Sequence, residues 1–457
     1  MPTIEVRDAV HGLITLRERE WAVIDTPAFQ RLRGVAQLAM TYLVYPGARH
    51  SRFEHCMGAC HVAGRLATRI NDASGEHVDD EQVRLAALVH DIGHGPFSHV
   101  SEEVFEALSG DHNVHEKISA AIVLNDPQVK KAVGADNARW IADLLTGRGH
   151  GLRRSVERDI VAGPADIDKL DYLLRDSRYC GVNYGSYDLA KLIEGAIGGS
   201  ERGVPDSFLG FHEDAIHALE EMLLARYHMH RQVYGHKTRV GIDRMLVRAM
   251  ILGVEEGLLD RDVFCPPEKK NKEFVQAYLQ WNDAAVTRKL CNATDNSRAG
   301  QLMRALVERK LCKRVARLGF TQLQQSFGRL LAGNIAQPED KVLDRLLPET
   351  EARLAQAAAV EPHWVMLHWE DRGSALSMRY SWRAAAKEIF IVDTEGETTA
   401  FHDRSEIFTR VERQTEPSVS LYLRTSDDKP LSKTKSAAIE KALLAGLEII
   451  GSETAAV

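Results

Sequence analysis

Ten of the chain's 19 histidines fall before residue 120, and their order is what most constrains the fold. His55 stands in Arg52-Phe53-Glu54-His55, inside a helical pattern. His90-Asp91 follows about 35 residues later, near the end of the apolar stretch from Leu85 to Ile92, and Asp168 comes in Asp166-Ile167-Asp168-Lys169. Two imidazoles and two carboxylates from separate segments suit a divalent ion such as Mn, Fe, Mg or Zn. An apolar helix has no packing reason to carry His-Asp near its end, and a buried carboxylate is costly unless a cation compensates it. Single buried histidines are more often core residues than ligands, and His-Asp is a common dipeptide. The company changes the weight: His94, His99, His115 and Glu116 follow closely, and Asp-x-Asp-Lys comes later.

The first 200 residues read as helices joined by short polar turns. Thr26-Pro27 has the form of a helix start, with Thr26 as N-cap and Pro27 at the first helical position. Phe29 to Met40 sets Leu32, Val35 and Leu38 at helical spacing, and Glu81 to Ile92 does the same with Val83, Leu85, Leu88 and Val89. Gly93-His94-Gly95-Pro96 ends that helix. Phe211 to Leu259 reads as a long helical stretch interrupted around Gly235 and Gly253, and further helices run from about Glu273 to Leu331. Past about Pro338 the character changes. Phe390-Ile391-Val392 is a short β-type run, Ser418 to Leu423 alternates, and a closing helix spans roughly Ser436 to Ile449. The expected fold is mainly α: a helical catalytic body over residues 1–335 and a small C-terminal α+β lobe over 336–457.

A net charge of −7 argues against broad nucleic-acid binding. Six cysteines do not make a disulfide framework, so a reduced, cytoplasmic protein is expected. The start lacks the order of a signal peptide, and no apolar run is long enough to span a membrane. Cys56 and Cys60, at i and i+4, are expected to pack in the core beside His55. His212 and His217 are five apart, so they face different sides of a helix and are not a zinc-protease pair. The basic cluster from Arg309 to Arg314 reads as a solvated helix face.

Longer words surround the histidines. They are Asp8-Ala9-Val10-His11-Gly12, Ile24-Asp25-Thr26-Pro27-Ala28-Phe29-Gln30-Arg31-Leu32-Arg33, and Tyr45-Pro46-Gly47-Ala48-Arg49-His50-Ser51-Arg52-Phe53-Glu54-His55. Then come His90-Asp91-Ile92-Gly93-His94-Gly95-Pro96-Phe97-Ser98-His99 and Asp166-Ile167-Asp168-Lys169-Leu170-Asp171-Tyr172. The set resembles the HD phosphohydrolase superfamily. Within it, the words resemble the deoxynucleoside-triphosphate triphosphohydrolase branch, which includes the catalytic core of the vertebrate antiviral dNTPase that carries a sterile-alpha-motif domain. The resemblance is dense over about residues 4 to 240.

That resemblance implies a metal held by His55, His90, Asp91 and Asp168, with hydroxide attack at the α-phosphorus releasing deoxynucleoside and intact triphosphate. It implies His99 as the acid for the leaving 5′-oxygen, with Glu102 one helical turn on to orient it; the family relative has an aspartate there. His94 and His115 would contact phosphate, with Glu116 in support. Arg52, Lys169 and Arg226 match triphosphate contacts, and Arg226 and Tyr234 lie about two turns apart on one expected helix face. Gln37, Tyr172 and Asp176 would hold the 3′-hydroxyl, while Leu38 and Tyr234 would exclude ribose.

The same resemblance implies a homo-oligomer, dimer or tetramer, with a nucleotide effector read by Asp25, Gln30 and Arg33. Ile4 and Arg7 replace a lysine and an asparagine that the vertebrate relative uses for effector contacts. Asp25-Thr26-Pro27 equally fits a plain helix cap. Arg410, Arg413 and Lys433 are further candidates for effector phosphates. The expected activity is metal-dependent dNTP hydrolysis in nucleotide-pool control or in antiviral or phage defence. Two other readings compete with it: an HD phosphatase on nucleoside monophosphates or signalling nucleotides, and a non-catalytic nucleotide-sensing or nucleic-acid-binding regulator.

Overall fold

The computed structural model describes residues 3–73, 77–148, 154–200, 207–370, 388–408, 417–425 and 431–455. Arg410 and Arg413 lie outside the described residues. Helices dominate, as the periodicity predicts. Contacts divide the chain into two units. One contains residues 1–234, 257–289 and 378–412; the other contains 235–256, 290–377 and 413–457. The division therefore crosses the chain several times.

The first unit opens with a hairpin the helical reading did not include. Strands Thr3–Asp8 and Gly12–Arg17 pair antiparallel, Thr3 opposite Arg17 and Asp8 opposite Gly12. The Asp8 carboxylate accepts from the backbone N–H groups of Val10 (2.8 Å) and His11 (2.9 Å), closing the turn. Gly12 follows at φ +75, a conformation that favours glycine.

Helix Arg52–Ala73 is the spine of this unit, and most of its residues are buried. It packs beside helix Asp80–Val89, which Asp79 caps by accepting from Gln82 N. Arg84 of the second helix is buried and pairs with buried Glu20 through Nη2–Oε2 at 2.7 Å. Helix Ile167–Cys180 is capped by Asp166, which accepts from Lys169 N, and ends at left-handed Gly181. Cys56 and Cys60 are free, buried thiols, as expected.

Thr26 caps helix Pro27–Gln30 through Phe29 N, as the dipeptide predicts. The helix expected on to Met40 does not continue. A 3₁₀ turn covers Arg31–Gly34, Ala36 bridges to Ser51, and Ala39 takes φ +48. Leu32, Val35 and Leu38 are all buried, so burial produced their spacing without a helix. The helix expected from Phe211 begins instead with strand Ser207–His212. It pairs with Ala196–Ser200 on one side and runs parallel to Phe390–Val392 on the other. His212 ends that strand and His217 lies in helix Ile216–Met229, so they share no helix face. A π-helical turn, His230–Tyr234, follows that helix and ends just before the break expected at Gly235. Helix Lys237–Glu255 runs through Gly253 without the expected interruption.

The second unit contains a three-stranded antiparallel sheet ordered Lys313–Gly319, Ser418–Leu423, Val365–Glu370. The alternation of Ser418–Leu423 predicts a strand, and the strand is present. All six residues are buried because the strand is central. Val419, Leu421, Leu354, Leu443 and Leu447 share its core, which joins helices Asp340–Ala358 and Lys433–Thr454 to the sheet. The basic cluster from Arg309 to Arg314 is not a helix face. Helix Arg298–Val307 ends before it, Arg309 turns at φ +58, and Lys313 begins a strand.

Candidate metal centre

Three helix ends bring the four expected ligands together. His55 lies in the first turn of helix Arg52–Ala73, His90 and Asp91 follow helix Asp80–Val89, and Asp168 opens helix Ile167–Cys180. One donor atom from each lies within 4.8 Å of all the others. His55 Nε2 is 3.1 Å from Asp168 Oδ1 and 3.4 Å from Asp91 Oδ2; His90 Nε2 is 3.4 Å from Asp91 Oδ1.

Local bonds turn both imidazoles toward this point. His90 Nδ1 faces the Ala87 carbonyl at 2.7 Å, and His55 Nδ1 faces Asp171 Oδ2 at 2.8 Å. With Nδ1–H donated to those oxygens, Nε2 is left as the ligand atom. Both Nε2 atoms are buried without a hydrogen bond. Against the cost of burial, Arg52, His90 and His94 hold the Asp91 carboxyl well below the usual carboxylate range, and His55 and His90 do the same for Asp168. Against that same cost, the facing carboxylates raise His55 well above its ordinary value and raise His90 too. Excess negative charge at the centre thus draws protons onto the imidazoles, and a divalent cation would replace them. The donor set fits Mn, Fe, Mg or Zn chemistry.

Beneath the ligands lies a network that sequence reasoning missed. Asp171 is fully buried and accepts from His55 Nδ1 (2.8 Å), His11 Nε2 (2.7 Å), and Arg175 Nε and Nη2 (2.8 Å each). Arg175 Nη1 in turn donates to Asp8 Oδ2 at 2.8 Å. The words Asp8…His11 and Asp171 are therefore one structure, joined across about 160 residues. A Cβ on Gly58 would collide with Asp171 Oδ1 and Arg175 Nη2, which explains that glycine inside a helix.

On the side expected to receive phosphates, Arg52 Nη1 pairs with Asp91, while Arg52 Nε donates to Ser98 Oγ at 2.9 Å. His94 and His115 stack with ring centroids 4.1 Å apart, and His99 meets His94 edge-on at 5.3 Å. His99 is exposed, with Nε2 3.4 Å from Arg52 Nη2. Glu102 was expected to orient His99. Its hydrogen bonds run instead to His115: Oε1 accepts from the backbone N (2.7 Å) and faces Nδ1 (2.9 Å). Against the cost of burial, Glu102 lifts His115 to about 9, and His115 holds Glu102 down at about 2. Glu116 adds negative charge beside His115. Lys169 Nζ is engaged by Asp166 Oδ2 at 2.5 Å and the Gly163 carbonyl at 3.2 Å.

The residues expected at the sugar also meet. Asp176 accepts from Tyr234 OH (2.6 Å) and faces His50 Nε2 (2.7 Å), a histidine to which sequence alone assigned no role. Tyr172 lies edge-on to Tyr234, with ring centroids 6.4 Å apart. Gln37 is tied by its N–H to the His50 carbonyl, and its buried Oε1 has no partner; Leu38 beside it is buried. Arg226 Nε is likewise buried without a partner. Arg226 and Tyr234 do not share one α-helix face, because Tyr234 belongs to the π-helical turn. Such turns recur at functional sites.

Of the residues expected to read an effector, Gln30 and Arg33 meet. Asp25 is exposed, Gln30 Oε1 accepts from Arg33 Nε at 2.8 Å, and the Arg33 guanidinium lies 3.5 Å over the Phe53 ring.

Comparison with known proteins agrees with this geometry. Residues 52–176 match the HD domain family and residues 203–381 match the HD associated region. The chain thus carries an HD domain followed by an HD associated region. It is 36% identical over 255 residues to an uncharacterized protein of Methanocaldococcus jannaschii, covering 56% of this chain and 51% of that one. It is 35% identical over 254 residues to the deoxynucleoside triphosphate triphosphohydrolase SAMHD1 homolog of Dictyostelium discoideum, covering 53% and 48%. For SAMHD1 of Bos taurus the identity is 31% over 278 residues, covering 54% and 47%. The chain spans about half the length of the curated relatives it matches. A crystal structure of a phosphohydrolase from Bacteroides thetaiotaomicron shares the fold, with a TM-score of 0.70 at 23% identity over 93% of this chain and 100% of that one. Among the described residues, no helix is long and apolar enough to cross a membrane.

Proposed function

We propose that this protein is a metal-dependent dNTP triphosphohydrolase. The observation that carries the reading is the convergence of His55, His90, Asp91 and Asp168, with both imidazole Nε2 atoms buried and unbonded. A divalent ion on these four residues would lower the pKa of a bound water and offset charge on the phosphoryl oxygens.

The chain's own residues supply binding, orientation and the proton. Arg52 and Arg226 bind triphosphate oxygens, where a forked guanidinium is well suited. His94 joins them, and Lys169 reaches phosphate by exchanging its bond to Asp166. Gln37, Tyr172 and Asp176 hold the 3′-hydroxyl. Leu38 and Tyr234 crowd the 2′ position against ribose. As the water oxygen bonds to the α-phosphorus, the bond from phosphorus to the 5′-oxygen breaks and the leaving oxygen takes a proton. We assign that proton to His115, because the orienting carboxylate of Glu102 sits on His115 and not on His99. His99 stays beside Arg52 as a phosphate contact. Glu116 supports the pair.

From the sequence resemblance alone we further propose an oligomer, a nucleotide effector at Asp25, Gln30 and Arg33, a cytoplasmic location, and a role in nucleotide-pool control or antiviral defence. We also propose regulation or assembly for residues 336–457 and catalysis for residues 1–335, with Phe390–Val392 pairing in the catalytic unit.

The test is product identification. Purified protein with each dNTP, Mn or Mg, and a second nucleotide as activator is expected to give deoxynucleoside and inorganic triphosphate. Release of single phosphates would favour an HD phosphatase on other nucleotides. Metal and nucleotide binding without turnover would favour a regulator.

A further inference from the structure

The turn that leads into His99 is strained and is held from a distance. Phe97 and Ser98 are consecutive non-glycine residues at φ +63 and +55, and both are buried. Side chains rarely adopt this conformation, and each such residue costs stability. The strain persists only where surroundings over-determine the backbone. Here the restraint comes from Asp283, the first residue of helix Asp283–Cys291, about 186 residues away in sequence. Asp283 Oδ1 accepts from Phe97 N at 2.6 Å, and Oδ2 accepts from Ala36 N at 3.0 Å. Ser98 Oγ closes the triangle by donating to the Ala36 carbonyl at 2.7 Å.

One carboxylate thus joins the turn before His99 to the loop that carries Gln37 and Leu38. Neither segment contains a ligand of the metal centre. The neighbouring anchors are of the same kind. Arg31 donates to the carbonyls of Trp281 (2.7 Å) and His94 (2.8 Å), and Tyr278 OH donates to the Gly93 carbonyl (2.7 Å).

We propose that Asp283 is a positioning residue that sets the Gln37-Leu38 loop against the His99 turn, and through that spacing the discrimination of deoxyribose from ribose. The inference rests on the dNTP reading for its substrate, while the clamp itself is geometric. Leu38 excludes a 2′-hydroxyl only if its backbone stays in register with the opposite wall of the site. A misplacement of about 1 Å near reacting groups changes rates by on the order of 100-fold.

Asp283→Asn keeps the size but replaces one acceptor oxygen with a donor, so it satisfies at most one of the two N–H groups. Asp283→Ala removes both. The full chain is compared with these variants in three ways: Mn binding by calorimetry, amide hydrogen exchange at Ala36 and Phe97, and kcat/KM for a dNTP and the matching rNTP. The expected result is unchanged Mn affinity, faster exchange at both amides, and a dNTP-to-rNTP selectivity reduced about 10-fold or more. A variant that loses activity equally on both sugars would overturn the positioning role and leave Asp283 merely structural. If Asp283→Ala fails to fold, Asp283→Asn decides by the same measurements. If wild-type protein hydrolyses no dNTP, the dNTP reading fails and amide exchange judges the clamp. Faster exchange at Ala36 and Phe97 with retained Mn binding supports it, and unchanged exchange refutes it.

Discussion

Gly58→Ala tests the network beneath the metal centre, because helix propensity and packing predict opposite signs. Gly58 lies inside helix Arg52–Ala73, where alanine is ordinarily better than glycine by about 1 kcal/mol. Here the added Cβ would collide with Asp171 Oδ1 and Arg175 Nη2. A flexible carboxylate would swing aside at little cost. Asp171 is not flexible: its two oxygens accept four bonds of 2.7–2.8 Å from His11, His55 and Arg175. A normal contact returns only if Oδ1 retreats by about 1 Å, which breaks the bonds from His11 Nε2 and Arg175 Nη2. Hydrogen bonds involving charged groups contribute about 1.5–3 kcal/mol each. After the propensity gain is subtracted, the variant is expected to lose about 2–5 kcal/mol.

His55 then loses its Nδ1 partner's fixed position, and weakening an outer partner of this kind costs about 10–100-fold in metal affinity. The assays are urea unfolding of metal-free protein and calorimetric titration with Mn. Gly333→Ala is the control, since nothing lies within 4 Å of a Cβ there, and it should gain stability. A Gly58→Ala protein as stable as wild type, with unchanged Mn affinity, would refute the claim that Asp171 is rigidly held.

Three further expectations follow from the site. Asp168→Ala removes one of four donors and should weaken Mn binding by at least about 100-fold, with the circular dichroism spectrum unchanged; near-wild-type affinity would contradict the ligand set. Arg226→Gln should raise KM for dNTP by about 10- to 100-fold with a smaller effect on kcat, which steady-state kinetics would show. The Glu102–His115 pair makes stability depend on pH in a defined window. Glu102 is lowered from 4.5 to about 2, so its contribution is complete above 4.5 and is lost as pH falls toward 2. His115 is raised from 6.5 to about 9, so its contribution is complete below 6.5 and is lost as pH rises toward 9. The unfolding free-energy difference between metal-free wild type and Glu102→Gln should be on the order of 3 kcal/mol between pH 4.5 and 6.5 and shrink on either side. A difference that stays flat to pH 9 would contradict the pairing.

The cluster of His55, His90, Asp91 and Asp168 was legible in the sequence because these residues lie inside words whose residue types make no sense as packing. His90-Asp91 at the end of an apolar helix is the clearest case. The partners of those residues were not legible, because local pattern carries no information on which distant carboxylate meets which histidine. His11 and Asp171 are 160 positions apart, and Asp283 clamps residues on two other segments. Glu102 was misassigned for a related reason: helical spacing allowed His99, whereas the chain that turns back after Ser109 delivers His115 to the same carboxylate. Strand errors came from burial. Ser207–His212 is mostly buried, so it lacks the alternation that separates a strand from a helix. The hairpin Thr3–Arg17 was passed over in a region rich in helical signals. Asp8 and Gly12 around its turn are the cue to it.

The central claim is hydrolysis at the α-phosphorus by groups gathered around His55, His90, Asp91 and Asp168. Its most direct test is turnover of a dNTP in heavy-oxygen water, with products read by phosphorus NMR and mass spectrometry. One heavy oxygen is expected in the inorganic triphosphate, on a terminal phosphorus, and none in the deoxynucleoside. Label appearing in released monophosphate, or in the deoxynucleoside 5′-oxygen, would contradict it.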